Sequence, residues 1–218
     1  LSEETLDRMA LLPGGSLPPF PLQAAVLTPA QHRSIDLDRH QAMIEDPTYS
    51  STRVCAYAVA LGSALGLDAD EMAIIQVGAI LHDLGKLRLP QNLLAKTGTL
   101  TATDWQSLRR HPLLGEKMCR VLDFPNSICL VVRHHHEWWD GHGYPDGLSG
   151  ERIPLTAQIV AVADSFDAMV SDRPYRKGRP TDEALRELEA GSDSQWSTWL
   201  VDTFVSLIRS GELMLVAS

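Results

Sequence analysis

The chain has 218 residues, of which 44% are hydrophobic and 22% are charged, and these ordinary globular values exclude a wholly disordered protein. Its formal net charge of −9 argues against a generally basic surface and therefore against long nucleic acid as a partner. A small phosphorylated ligand is compatible with this charge, because metal ions and a few basic side chains can reverse the field inside a cleft. No apolar run reaches the roughly 18 residues that a membrane span requires.

Three cysteines lie in apolar, periodic stretches of the chain, at positions 55, 119 and 129. Their odd number favours buried free thiols in a reducing cytosol over a disulfide or a thiolate metal site. The chain opens without the basic and then apolar segments that a secretory signal would have. We therefore predict a cytoplasmic protein.

The first 40 residues differ in composition from the remainder. Residues 1–12 have the spacing of a short amphipathic helix, and residues 13–29 contain five prolines and two glycines, which excludes a regular element there. We predict that residues 1–40 form an N-terminal arm, a linker or the remnant of a neighbouring module. Residues 41–218 are predicted to form one folded domain.

From about residue 30 the hydrophobic periodicity is helical almost throughout. The predicted helices are 30–45, 50–66, 69–84, 102–120, one from Pro125 through the histidine triplet at 134–136, 155–171, 181–190 and 195–210. Thr101 and Asp104 have the spacing of a capping box. Glycines and prolines over 138–154 predict a long structured loop, and residues 212–217 form at most a short edge strand. The predicted fold class is all-α, a compact helical bundle with five or more core helices.

Histidines are concentrated in the middle of the chain. Six of the eight fall between residues 82 and 142: His82, His111, His134, His135, His136 and His142. Uniform spacing would place only about two there. Because histidine is the commonest metal ligand and the usual proton carrier near neutral pH, this concentration indicates a functional site.

Two carboxylates lie in positions where an unpaired charge would be costly. Asp83 follows His82 at the end of an apolar helix, and Lys86 is close enough in sequence to face the same cleft. Asp164 lies in the middle of the apolar segment 159–168, where a carboxylate should be paired or bound to metal. A helix cap with Asp83–Lys86 pairing, and a structural salt bridge for Asp164, are the alternatives that need no metal.

The histidine triplet is a poor core sequence, and a solvated polar helix end is its alternative interpretation. Adjacent helical residues point about 100° apart, so two of them converge only if they serve neighbouring ions or use different ring nitrogens. His111, beside Pro112, is on its own more typical of a surface histidine. A set of imidazoles and carboxylates without thiolates suits iron, manganese or another divalent ion in an open catalytic site. Two such ions about 3.5–4 Å apart are a common arrangement for phosphoester cleavage.

These motifs resemble the HD-GYP subfamily of the HD-domain metal-dependent phosphohydrolases, which are bacterial cyclic di-GMP phosphodiesterases. His82-Asp83, with the distant Asp164, resembles the HD pattern. The stretch His135-His136-Glu137, followed by Asp140-Gly141-His142-Gly143-Tyr144-Pro145, is similar to the subfamily signature. Residues 81–86, 111–115 and 172–176 match as well, and the resemblance covers about residues 45–210.

The resemblance implies a bundle of the HD-domain type that holds two or three divalent ions, with iron or manganese expected. The implied metal ligands are His82, Asp83, His111, His135, His136 and Asp164, with Asp46 as a further one. Asp83 would bridge two ions and Lys86 would help to neutralise the phosphate, which makes these the expected catalytic residues. The implied ligand-binding residues are Gly143, Tyr144, Pro145, Asp167, Arg173 and Arg176.

The sequence departs from the family pattern at several positions. Ser50 stands where the family has a histidine ligand, and Asp46 stands where members with three ions have a glutamate. Trp138 replaces the usual arginine after His-His-Glu, and the usual Asp-Pro near the last helix is absent. We expect the loss of one imidazole to weaken metal occupancy and to reduce activity.

The resemblance therefore implies a phosphodiesterase that hydrolyses cyclic di-GMP to linear pGpG or onward to GMP. The alternative is a degenerate HD-GYP module that binds a cyclic dinucleotide or a partner protein, such as a diguanylate cyclase or another regulatory protein, and regulates without turnover. A third hypothesis is a phosphohydrolase of the HD superfamily that acts on a different nucleotide.

Overall fold

A computed structural model describes residues 51–172 and 177–213. Its α-helices are α1 Ser51–Ala64, α2 Ala69–Leu81, α3 Gln91–Leu94, α4 Ala102–Leu108, α5 His111–Val121, α6 Asn126–His134, α7 Leu155–Val170, α8 Thr181–Ala190 and α9 Thr198–Ser210. Short 3-10 helices span Leu84–Arg88 and Gly150–Arg152. Within the described ranges the only β pairing is a single bridge between Ser192 and Trp196, and the all-α prediction is confirmed. The predicted arm, the predicted helix 30–45 and most of the tail 212–217 lie outside the described residues.

Helix α7 is the centre of the bundle, because α1, α2, α6, α8 and α9 all pack against it. Residues 159–163 of α7 are all apolar and buried, and because they span more than one helical turn, neighbouring helices must cover this part of α7 on every side. Its Phe166 meets the rings of Tyr57 and Phe204 edge-on, with centroids 5.2 and 5.0 Å apart. Burial of each such ring contributes roughly 1.5–3 kcal/mol. The three cysteines are buried free thiols, as predicted.

Helix α2 ends at Leu81, three residues earlier than predicted, and the chain then turns through His82 and Asp83 into a 3-10 helix. Gly85 allows this segment to lie directly against the start of α5. A Cβ atom at Gly85 would lie 1.9 Å from the carbonyl oxygen of His111 and 2.5 Å from the amide nitrogen of Gly115. The glycine therefore brings the segment that follows Asp83 next to His111.

The helix predicted over 102–120 is divided into α4 and α5, and Pro112 provides the reason. Proline has no N–H to donate to the carbonyl of Leu108, four residues earlier. That carbonyl accepts a hydrogen bond from Nδ1 of His111 instead, at 2.8 Å. His111 is consequently buried, so the surface position suggested by its local sequence is wrong. The capping box of Thr101 and Asp104 at the start of α4 is confirmed.

Helix α6 begins after Pro125 as predicted, but it ends at His134 rather than continuing through the triplet. His135 and His136 lie in the turn that follows, where the helical spacing of 100° no longer applies. Their ring centroids are 4.1 Å apart. Two adjacent histidines can therefore converge on one site, which a continuous helix would not allow.

Candidate metal centre

The ends of three helices bring four predicted metal ligands together. Asp83 follows α2, His111 begins α5, and His135 and His136 follow α6. One ligand atom from each of these residues lies within 4.8 Å of those of the other three. These four residues are called the metal cluster below.

Two more predicted ligands lie at the edge of the metal cluster. Nε2 of His82 is 3.4 Å from Oδ2 of Asp83 and 3.6 Å from Oδ1 of Asp164, which projects from the central helix α7. The structure thus brings together six of the seven predicted ligands. Asp46, and the departure at Ser50, lie outside the described residues.

Hydrogen bonds to the main chain fix the orientation of three imidazoles. Nδ1 of His82, His111 and His135 contacts the carbonyl oxygen of Ala79, Leu108 and Val132 at 2.7, 2.8 and 2.9 Å respectively. Because a carbonyl oxygen only accepts, Nδ1 is the protonated nitrogen in each ring. In the neutral rings, Nε2 therefore presents a lone pair to the cluster, which is the arrangement found in metal-ligating histidines.

The facing atoms of the cluster fit a bound cation. Nε2 of His111 is 3.3 Å from Nε2 of His135 and 3.2 Å from Oδ1 of Asp83, and this carboxylate oxygen is buried without a hydrogen-bond donor. These nitrogen and carboxylate atoms, held close together and away from water, are stabilised when a cation or a proton lies among them. Ligands about 2.0–2.1 Å from one ion, at tetrahedral or octahedral angles, are separated by roughly 2.8–3.4 Å. The cluster can therefore hold a divalent metal ion.

The electrostatics of the site favour ionised carboxylates at Asp83 and Asp164 and neutral imidazoles at His135 and His136. Burial opposes ionisation of Asp83, but Lys86 and His82 hold its pKa well below the usual range. The pKa of Asp164 is lowered in the same way, against its burial, by His82. Burial, with a smaller effect of neighbouring imidazoles, lowers the pKa of His135 well below its usual value and that of His136 to about 3. Ionised carboxylates and neutral imidazoles are the forms that bind metal.

His82 shows how strongly the site favours positive charge. Burial opposes protonation of its ring, but the adjacent carboxylates of Asp83 and Asp164 raise its pKa to about 10. The ammonium group of Lys86 lies at the same carboxylate, where its Nζ donates a hydrogen bond to Oδ2 of Asp83. The Asp83–Lys86 pairing considered from the sequence is therefore present, and it lies beside the metal cluster.

The predicted ligand-binding segment Gly143-Tyr144-Pro145 packs against the cluster. The ring of Tyr144 is stacked on that of His136, with centroids 4.8 Å apart and an interplanar angle of 30°. A Cβ atom at Gly143 would lie 2.2 Å from the amide nitrogen of Trp138, so glycine is required for this close approach. Pro145 follows through a cis peptide bond. The segment forms a wall beside His136.

The sequence assigned no role to Glu137, although it belongs to the motif. Its carboxylate is buried and accepts hydrogen bonds from the amides of Asp146 at 2.7 Å and Leu148 at 3.1 Å. These contacts hold the loop that carries Tyr144. The only sequence signal for this role is an acidic residue at the end of a buried helix, which does not identify its partners.

The remaining predicted residues are placed as follows. The carboxylate of Asp167 is buried and accepts hydrogen bonds from Nε of Arg53 at 2.7 Å and from Oγ of Ser171 at 3.3 Å. This ion pair joins α1 to α7, so a contact between Asp167 and a guanine would require the pair to open. Arg173 and Arg176 lie outside the described residues. His142 is exposed and paired with Asp140, apart from the metal cluster.

A family model for the HD domain matches residues 37–197. The chain belongs to the HD domain family. A cyclic di-GMP phosphodiesterase of Thermotoga maritima is 37% identical over 183 residues, which are 82% of this chain and 46% of that protein. The cyclic di-GMP phosphodiesterase response regulator RpfG of Xanthomonas campestris is 44% identical over 140 residues, or 63% of this chain and 37% of that protein.

Among solved structures, a cyclic GMP-AMP specific phosphodiesterase of Vibrio cholerae has a TM-score of 0.62 and 21% identity, covering 78% of this chain and 47% of that one. This likeness supports the HD-domain fold, and the family resemblance drawn from the motifs is confirmed. The HD-domain chain spans less than half the length of these relatives. In the part of the chain that the structure describes, no helix has the length and apolar character needed to cross a bilayer.

Proposed function

We propose that this HD domain hydrolyses a phosphodiester bond of a cyclic dinucleotide, with cyclic di-GMP as the principal substrate, and that it acts in the cytoplasm. The observation that carries the proposal is the convergence of Asp83, His111, His135 and His136, whose ligand atoms lie within 4.8 Å of one another. The names of relatives 37–44% identical to the chain support the choice of substrate.

When bound, two divalent ions, for which the donors favour iron or manganese, would activate water and stabilise the charge that develops on the phosphate. The chain supplies the framework for this chemistry. Asp83 presents Oδ1 to His111 and Oδ2 to His82. Its two oxygens therefore face different histidines, as those of a carboxylate that bridges two ions would. Lys86 fixes the orientation of that carboxylate through its hydrogen bond. Asp46 is proposed as the ligand of a third ion.

The substrate would be held beside the cluster by residues that do not bind metal. Tyr144, stacked on His136, forms one wall with Gly143 and Pro145. Arg173 and Arg176, carried over from the family resemblance, are proposed to contact phosphate or a guanine edge. The fork of N–H donors on a guanidinium group fits two phosphate oxygens, and it also fits the two acceptors on that edge of guanine.

A module that binds cyclic dinucleotide or a regulatory protein without turnover is the second candidate, and Ser50 and Trp138 are the observations in its favour. The ligand set within the described residues is the stronger observation, because a pure binding site has no need of three imidazoles gathered within 4.8 Å of one buried carboxylate. We therefore place catalysis first.

The decisive experiment measures metal and turnover on the same preparation. The protein, purified without oxygen and loaded with Fe(II) or Mn(II), is assayed with cyclic di-GMP, 3′3′-cGAMP and cyclic di-AMP, and its bound metal is counted by mass spectrometry. We expect cyclic di-GMP to be cleaved fastest. His135→Ala should abolish cleavage, while the matched control His142→Ala, at an exposed position, should retain it. Tight binding of cyclic di-GMP by metal-loaded protein without cleavage would overturn the proposal in favour of the binding module.

A further inference from the structure

Arg109 lies beside the metal cluster without belonging to it. It follows α4 at the break that Pro112 imposes, and its side chain reaches Tyr144, with Cζ 5.2 Å from the ring centroid. Tyr144 is the ring stacked on His136. Arg109 is therefore one aromatic ring away from a metal ligand, and it is exposed to solvent.

Within the described part of the chain, no carboxylate forms an ion pair with Arg109. Other basic residues near the site have carboxylate partners: Arg53 pairs with Asp167, Lys86 with Asp83, and Arg133 with Asp146. A cation–π contact, worth about 0.5–1 kcal/mol at an exposed site, orients a guanidinium group but leaves its N–H donors available. Arg109 is thus a fixed cation at the rim of the site with unused hydrogen-bonding capacity.

An anionic substrate requires such a cation. The chain has a net charge of −9, and Asp83 and Asp164 add negative charge at the centre of the site. A cyclic dinucleotide carries two phosphodiester groups, and only one of them can occupy the metal cluster during cleavage. Lys86 is engaged with Asp83. Beside Arg173 and Arg176, which are proposed to contact phosphate or guanine, Arg109 is a cation placed to pair with the second phosphodiester group.

We propose that Arg109 binds the phosphodiester group that is not being cleaved, and that Tyr144 is the platform that directs its guanidinium group. This inference rests on the proposed function and deepens it. It makes Arg109 a specificity residue, which distinguishes substrates that have two phosphodiester groups from substrates that have one. The fork of N–H donors on a guanidinium group is well matched to two phosphate oxygens.

The test compares two substrates on the metal-loaded protein. Cyclic di-GMP has two phosphodiester groups, whereas bis(p-nitrophenyl) phosphate has one. Arg109→Ala should raise KM for cyclic di-GMP roughly tenfold or more, the usual scale for loss of a charge-assisted contact, with little change in kcat. Its kcat/KM for bis(p-nitrophenyl) phosphate and its metal content should stay at the parent values. Arg110→Ala removes the same charge from the neighbouring exposed position and is the matched control, expected to match the parent on both substrates.

A variant at Tyr144 completes the test. Tyr144→Leu removes the aromatic platform and should reproduce the effect of Arg109→Ala on cyclic di-GMP. An unchanged KM in Arg109→Ala, or an equal loss on both substrates, would overturn the proposal. If the parent protein cleaves neither substrate, calorimetry of cyclic di-GMP binding to the parent, Arg109→Ala and Arg110→Ala decides the role of Arg109 separately. Weaker binding in Arg109→Ala alone would uphold it, and equal binding in all three would reject it.

Discussion

Two clusters of histidine and carboxylate side chains meet at the end of α6, where residues 134–137 are divided between them. His135 and His136 belong to the metal cluster, with Asp83 and His111. His134 and Glu137 belong, with Asp146, to a second group whose ligand atoms also lie within 4.8 Å of one another, called the loop cluster here. The two clusters have the same residue types and the same compactness, so composition alone does not distinguish them.

The partners of the carboxylates distinguish the two clusters. In the loop cluster, the carboxylate of Glu137 accepts hydrogen bonds from two backbone amides. That of Asp146 accepts hydrogen bonds from Nε and Nη2 of Arg133 at 2.7 and 2.8 Å. In the metal cluster, the buried Oδ1 of Asp83 has no donor. A carboxylate whose oxygens both accept N–H groups anchors a loop, while a buried carboxylate oxygen that faces imidazole nitrogens, as Oδ1 of Asp83 does, is suited to a cation. We infer that one cluster binds metal and that the other holds the wall of the site.

The largest expected effect comes from removing the acid at the centre of the metal cluster. Asp83→Ala leaves the surrounding imidazoles without an anionic partner, so bound metal should fall close to zero and turnover by about 10³-fold or more. Metal analysis and product chromatography on the purified variant measure both. Asp146→Asn, in the loop cluster, is the matched control and should keep its metal. Full metal content in Asp83→Ala, or its loss in Asp146→Asn, would contradict the division into two roles.

Glu137 tests the anchoring role directly. Glu137→Ala leaves the amides of Asp146 and Leu148 without an acceptor, and each unsatisfied buried group costs about 1–3 kcal/mol. We expect the metal-free variant to lose roughly 2–4 kcal/mol of unfolding free energy in urea and to bind substrate more weakly, because Tyr144 is no longer held against His136. Glu137→Gln keeps one acceptor oxygen and should lose about half as much. Metal content as low as that of Asp83→Ala would assign Glu137 to the metal site instead.

The residues of the metal cluster could be named from the sequence because they lie in motifs whose residue types and order are recognisable one by one. The structure brings them together, and their role as metal ligands stays a prediction. The all-α class and most helix positions also followed from periodicity. The division of residues 134–137 between two clusters could not be predicted, because it depends on α6 ending at His134 and on amides from a loop nine residues later. The buried position of His111 could not be predicted either. It depends on the break between α4 and α5 and on the packing of α5 against the segment around Gly85. Arg109 has no motif, and its role follows from a contact with Tyr144 that only the folded chain creates.

Ser50 offers a way to complete the metal cluster rather than to break it. The family places an imidazole ligand at this position, and a neutral serine hydroxyl is a weaker ligand for iron or manganese. Ser50→His should raise both the metal bound per chain and the rate of cyclic di-GMP cleavage. Ser63→His, at an exposed position near the end of α1, introduces the same residue outside the site and should change neither. A variant that gains metal without gaining activity would direct attention to Trp138.

The smallest expected effect concerns the ion pairs that surround the loop cluster. Hydrogen bonds from Arg133 lower the pKa of Asp146, and those from Arg120 and Arg133 lower the pKa of Glu116 against the opposing effect of its burial. A carboxyl group whose pKa is lowered on folding stabilises the protein above its unfolded pKa, near 4, and this contribution is lost as the pH falls through the folded value. Because these groups are partly exposed, the contribution of Arg133 should be only about 0.5–1 kcal/mol.

Arg133→Met isolates that contribution. In urea unfolding of metal-free protein, the variant should be less stable than the parent at pH 7. The difference should shrink as the pH falls below about 5, because the unfolded chain takes up protons first and the folded parent follows at its lowered pKa values. The metal cluster does not enter this comparison, because no metal is present to be released. If the difference persists undiminished at pH 3, the contribution of Arg133 comes from the packing of its aliphatic stem. Charge would then play no part in fixing the loop, and its anchoring would depend on the amides that Glu137 accepts.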